Sequence, residues 1–196
     1  MKEMIKMVVV LTVLSCLSGG LLAYVKDSTK EQIENQVLQL VKGPAIRGIF
    51  EGASNDPVTD RIAVTDEDRQ IDIFVGKYDG KPTALAFETS GKGYGGDIGV
   101  MVALNIEEPT LFGIGVTTHS ETAGLGSRAK DDPAFAAQFK GMEAKAPIKV
   151  SADGGTVSTI SGATITSRGV ADAATKAVEM YERLKPQIEE QLKSLN

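Results

Sequence analysis

The residues best suited to chemistry lie in one short run, Ser161-Gly162-Ala163-Thr164-Ile165-Thr166-Ser167. Gly162 and Ala163 leave the backbone uncrowded, so a bulky group can approach the Thr164 hydroxyl. A helix-like pattern begins near Arg168, and the start of a helix offers unpaired N–H groups and the positive end of its dipole. Such a terminus is a seat for a phosphate. A hydroxyl beside it points to phosphate binding or to a covalent phosphoester. The same residue types also serve as an ordinary helix cap, and the run alone does not separate these uses.

Two further runs carry candidate residues. His119-Ser120-Glu121-Thr122-Ala123-Gly124-Leu125-Gly126 gathers four polar side chains at the end of an expected strand, with two glycines to re-aim the loop. A hydrolase using Ser120 as nucleophile and His119 as base is geometrically poor, because adjacent residues of an extended strand point to opposite faces. No nucleophile elbow is present either. The other run, Gly91-Lys92-Gly93-Tyr94-Gly95-Gly96, would let the backbone approach a flat ligand or would simply connect two strands. It is no dinucleotide fingerprint, since no glycine-opened helix follows it.

Composition narrows the classes. The 196 residues fit one domain of ordinary size plus accessories. A net charge of −5 offers no basic stripe for nucleic acid. The single cysteine, Cys16, and single histidine, His119, exclude an internal disulfide and leave no Cys/His metal set. Tryptophan is absent, which disfavours an aromatic sugar- or base-stacking groove.

The elements that must position these residues begin with a membrane anchor. Lys2 and Lys6 precede an uncharged run from Met7 to Val25, which at the helical rise spans about 28 Å, close to the ~30 Å hydrocarbon thickness. The leading lysines put residues 1–6 in the cytoplasm and the bulk of the chain on the extracytoplasmic side. A cleaved signal peptide, or a lipoprotein signal ending at Cys16, is disfavoured because the apolar run continues past it, and each would leave the body outside as well. Ser28-Thr29-Lys30-Glu31 fits a capping box opening a membrane-proximal helix over 26–44, which Gly43-Pro44 would stop. The domain proper is expected over 45–196, starting with a loop to residue 60.

Ile71, Ile73 and Val75 alternate as a strand, Asp79-Gly80 turns it into 83–88, and 98–105 and 112–118 form a second strand pair. A short helix over 132–141, a short strand at 148–150 and a turn at Asp153-Gly154-Gly155 follow. Val170, Ala174, Val178, Tyr181, Leu184, Ile188 and Leu192 mark a long C-terminal helix, which Pro186 should kink or break. Strands and helices do not alternate regularly. The fold class is therefore α+β with a mainly antiparallel sheet.

The order of the three runs behind one membrane helix resembles the FMN-binding-domain family. Within it the chain looks most like the G subunits of Rnf ion-translocating electron transport complexes, which are related to the C subunits of sodium-translocating NADH:quinone reductases. The resemblance implies one FMN joined through a phosphoester to the last threonine of Ser161-Gly162-Ala163-Thr164, installed by a flavin transferase. It likens Asp153 to the aspartate opening the transferase recognition motif, and puts Glu121, Thr122 and Leu125 near the flavin ring. Lys149, Thr166 or backbone N–H groups would donate to the ring's N1/C2 edge. The chain departs from the family at Ala123, where proline is usual, and this bears on loop rigidity.

The expected function is thus an electron-carrying component of a bacterial inner-membrane complex that moves electrons between ferredoxin and NAD and couples this to ion transport. Its partners would be the other subunits, the transferase and the membrane, with no nucleic acid, no metal and no acid–base catalyst. The alternatives are the C subunit of the quinone reductase, or a membrane-anchored module that holds a phosphate or flavin noncovalently.

Overall fold

The computed structural model describes residues 1–66, 69–145 and 147–193. Contacts divide it into two units, Met1–Leu38 and Gln39–Asn196. The expected domain over 45–196 ends in residues 194–196, which lie outside the described residues.

The first unit is built on α1, Lys2–Gln36, none of whose residues is buried. Among the described residues it supplies the one helix long and apolar enough to cross a membrane. No helix starts at Ser28. The Ser28 and Thr29 hydroxyls instead donate back to the Val25 carbonyl at 3.0 and 2.7 Å, as hydroxyls do inside an unbroken helix. Val37–Lys42 winds as a π-helix and leads into α2, Gly43–Ile49. Gly43-Pro44 therefore opens a helix where the sequence suggested an end, because a proline in the first turn gives up only an N–H with no intrahelical partner.

In the second unit five strands form an antiparallel meander: β1 (Arg61–Asp66), β2 (Arg69–Tyr78), β3 (Lys81–Lys92), β4 (Asp97–Asn105) and β5 (Leu111–Thr118). Spatial order equals chain order, as short connections favour. Asp79 and Gly80 both take positive φ (52° and 77°), the signature of the tight turn that twists with a hairpin. The unforeseen strand is β1, an edge strand in which only Ile62 and Val64 face inward.

Burial explains the layers. Ile98–Leu104 is buried on both faces of β4, so its apolar run is continuous rather than alternating. One face packs against α5, Thr164–Lys193. There Thr89 donates to the Ala173 carbonyl at 2.7 Å, and Gly91 lies so close to Gly169 that a methyl group on either would collide with backbone. Against the opposite face lies α2, where Ala45 and Ile49 reach Gly115.

The helix α5 starts at Thr164, four residues before the expected point, and runs through Pro186 without breaking. Leu184 and Ile188, buried on either side of the proline, hold the turn by packing that outweighs the one hydrogen bond lost. The helix expected over 132–141 is shorter, α4 being Pro133–Ala137, capped by Asp132 and preceded by α3, Arg128–Asp131. Phe135 and Phe139 meet edge to face at 5.7 Å. The expected strand at 148–150 amounts to a single parallel bridge, Val150 to Val157.

Candidate functional site

All three glycine- and hydroxyl-bearing runs converge at one end of the sheet. Gly93–Gly96 is the turn joining β3 to β4, His119–Gly126 is the loop leaving β5, and Ser161–Ala163 leads directly into α5. Between them lies a cleft of about 540 Å³, lined by Tyr94, Glu121, Thr122, Leu125, Gly126, Gly162, Ala163, Thr164, Ile165 and Thr166. That volume falls within the range, about 300–1,000 Å³, of pockets that hold cofactor-sized ligands.

The buried carboxylate of Glu121 holds the three runs together. It is 9 % exposed. Its Oε1 accepts the Gly95 N–H at 2.7 Å, and its Oε2 accepts the Thr166 hydroxyl. Burial alone would push the Glu121 carboxyl up, but the Thr166 hydroxyl, the Gly95 and Tyr94 N–H groups and the nearby His119 outweigh it and hold it below the usual range. Glycines make room for this contact. A methyl group at Gly126 would sit 2.6 Å from Glu121 Oε2, and one at Gly95 would strike the Ser120 carbonyl.

Thr164 stands at the first position of α5, half-exposed and on the wall of the cleft. Gly162 before it adopts φ +80°, a left-handed conformation that a Cβ would strain. Buried Ser167 fixes the approach: its hydroxyl accepts the Ile160 N–H and donates to the Ala163 carbonyl, both at 3.0 Å. The first-turn N–H groups of α5 have no intrahelical acceptor, so the cleft floor presents a positive helix terminus beside a free hydroxyl. An anionic phosphate suits that end. Tyr94, Leu125 and Ile165 supply apolar surface for a flat ring.

The cleft thus brings together most of the candidates: Glu121, Thr122, Leu125, Gly162, Ala163, Thr164 and Thr166. Ser161 is exposed just outside the lining. Lys149 lies elsewhere, exposed beside the turn at Asp153, whose carboxylate it helps to stabilise. Asp153 itself takes both Nε and an Nη of Arg168 at 2.7 Å, tying its turn to the second turn of α5. The Arg168 guanidinium, first among the causes, lowers the Asp153 carboxyl below the usual range. His119 Nδ1 accepts the Glu121 N–H at 3.2 Å and so braces the loop. Ala123 sits in a turn closed by the Leu125 and Ser127 N–H groups, both bonded to the Thr122 carbonyl at 3.2 Å.

Tyr94, Gly126 and Ile165 line the cleft although sequence reasoning singled out none of them as site residues. A large aromatic within a run of glycines was the available signal for Tyr94. Ile165 gave none, because a lone apolar residue after Thr164 reads as an ordinary helical position.

Comparison with known proteins converges on the same segment. The model of the FMN-binding domain matches residues 93–179, from the glycine turn through most of α5. The G subunit of the ion-translocating oxidoreductase complex of Cereibacter sphaeroides is 32% identical over 176 residues, which cover 86% of this chain and 80% of that protein. Its counterpart in Vibrio cholerae is 31% identical over 193 residues, 93% of this chain and 92% of that one. Among solved structures, NqrC of Shewanella oneidensis aligns with a TM-score of 0.51 and 25% identity over 73% of this chain and 72% of that chain.

Proposed function

We propose that this chain, which belongs to the family of G subunits of ion-translocating oxidoreductase complexes, is a flavin-bearing electron carrier with FMN fixed to Thr164 by a phosphoester. The observation that carries this reading is the position of Thr164: its hydroxyl opens α5 at the wall of a cleft whose floor is a helix N-terminus. When bound, FMN accepts and releases electrons, and the chain's own residues set its position and surroundings.

The residues present fit the group. The α5 terminus and the left-handed Gly162 would receive the phosphate. Thr122 offers a polar contact and the Thr166 hydroxyl, its proton given to Glu121, would only accept, while Leu125, Ile165 and Tyr94 would exclude water from a ring system. A covalent tether holds the cofactor by one end, so the cleft can stay open enough for electrons to pass to a partner. Glu121 keeps the three walls at fixed spacing, and no acid–base step is required of it.

The remaining parts of the reading follow from the same family. The chain would work within a membrane complex of the Rnf type, exchanging electrons with other subunits between ferredoxin and NAD and relying on a flavin transferase for maturation. The helix α1 supports an anchor in the inner membrane, and Lys2 and Lys6 favour an extracytoplasmic domain over 45–196.

Intact mass of the denatured full chain, purified from membranes that also express a flavin transferase, tests the attachment. The expected result is one FMN per chain in the native protein and none in Thr164→Ala. Flavin that is present natively but released on denaturation would favour the noncovalent module, and an unmodified, flavin-free chain would refute the carrier reading.

A further inference from the structure

Large apolar side chains are rarely left exposed in the second unit. Among its described residues only Leu40, Tyr94, Leu125 and Ile165 are so placed, and the last three all line the cleft. Tyr94 is the extreme case within the cleft, 75 % exposed against 48 % and 47 % for the other two. Single exposed apolar residues are ordinary, but three gathered at one cleft form a patch of the kind that marks a binding surface.

The backbone beneath Tyr94 is as constrained as its ring is free. Gly93 N–H donates to the Gly96 carbonyl at 2.8 Å and closes the turn. The Gly95 N–H on the far side of Tyr94 is held by the Glu121 carboxylate at 2.7 Å. Gly93 packs against Glu121 Oε1 and Ile98, and Gly95 against the Ser120 carbonyl, with no space for a side chain at either position. The ring thus projects from a rigid base over an open cleft, and its side-chain torsions alone decide where it lies.

We propose that Tyr94 is a ring-covering residue for the flavin: its phenol face packs on the isoalloxazine and positions it within the cleft. The inference rests on the flavin reading above and deepens it. An aromatic ring on a fixed backbone suits this task because only two torsions are ordered on contact and offset stacking favours two flat π systems. Leu125 and Ile165 provide aliphatic surface for the same ring system, and neither has a π face. A phenol in contact also quenches flavin emission, since an electron passes from phenol to excited flavin and returns, leaving both unchanged.

The test uses the full chain carrying its flavin, with cofactor content per chain fixed by absorbance after denaturation. Tyr94→Ala should raise flavin emission roughly fivefold, the population ratio that an aromatic contact of ordinary strength maintains. It should also weaken the visible circular dichroism that a fixed ring environment induces. Tyr94→Phe should keep the dichroism, because the stacking face remains, yet emit more brightly because phenylalanine is not an electron donor. An alanine variant as dark as wild type overturns the proposal. So does a phenylalanine variant whose dichroism collapses to that of alanine. A wild-type chain with no flavin at all removes the flavin reading itself, an outcome distinct from a flavin-bearing chain that is indifferent to Tyr94.

Discussion

Thr166, two residues past the start of α5, donates its hydroxyl to Glu121, a buried carboxylate 45 positions earlier in the chain. The bond joins the loop after β5 to the helix that presents Thr164. Through Gly95 the same carboxylate also reaches the turn between β3 and β4. All three runs that wall the cleft are tied to this one side chain.

Removing either partner should therefore loosen the site as well as the fold. Thr166→Val leaves one oxygen of a buried carboxylate without its hydroxyl, at a cost of about 1–3 kcal/mol. Glu121→Ala strands the Gly95 N–H as well and should cost at least as much. Thermal melting of the single and double variants checks this, and the two losses should be less than additive because they share one bond.

Glu121 also sets part of the acid limit. Its folded-state carboxyl lies below the ordinary value of 4.5. Its contribution to stability is thus complete above about pH 4.5 and is lost as pH falls through the lower folded value. Melting temperature plotted against pH should drop more steeply on the acid side in the native protein than in Glu121→Gln, which does not titrate. Parallel curves would refute the linkage.

The approach of β3 to α5 depends on paired glycines. A methyl group at Gly169 would lie 2.6 Å from the Lys92 carbonyl oxygen, and one at Gly91 would strike the Gly169 carbonyl. Gly91→Ala and Gly169→Ala should each destabilise the protein by about 1–3 kcal/mol through overpacking against backbone that cannot yield. Gly48→Ala, inside α2 with open space at its Cβ, serves as the control and should not destabilise, gaining instead up to about 1 kcal/mol of helix propensity.

Gly162→Ala tests the ramp into Thr164, the proposed attachment residue. At φ +80° a side chain costs about 1–2 kcal/mol, and its Cβ would come within 3.3 Å of Leu125 Cδ2. The expected outcome is a modest loss in melting temperature with a larger loss of covalent flavin per chain, read by intact mass. Full flavin loading with the fold intact would show that this backbone conformation is not needed for attachment.

The Asp153–Arg168 pair makes a prediction free of any cofactor. Asp153 should titrate below an ordinary aspartate and return toward it in Arg168→Ala, as followed by carboxyl NMR. Both side chains are solvent-exposed, so the melting temperature should barely change.

Local pattern was enough for much of this protein. The apolar run behind Lys2 and Lys6 specifies a membrane-length helix, Asp79-Gly80 specifies a hairpin, and the spacing from Val170 to Leu192 specifies a long amphipathic helix. Each depends on neighbours within a few residues, where periodicity and turn chemistry act. The three glycine- and hydroxyl-rich runs were likewise legible as candidates, because such residues are seldom spent together on a plain core.

What only the tertiary structure decided is how those runs meet. Ser28 and Gly43-Pro44 carry good end signals, yet the helix ignores the first and restarts at the second, since the continuing helical register outweighs a local cap. Pro186 stays inside α5 because Leu184 and Ile188 are buried around it. Lys149 and Thr166 both carry a donor in the chain, Lys149 the weaker candidate as an exposed lysine on a short strand. The fold puts Thr166 on the cleft, with its hydroxyl given to Glu121, and Lys149 beside Asp153. The bond between Thr166 and Glu121 spans two elements far apart in sequence. Such a contact exists only after the sheet and α5 have packed, and no local spacing encodes it.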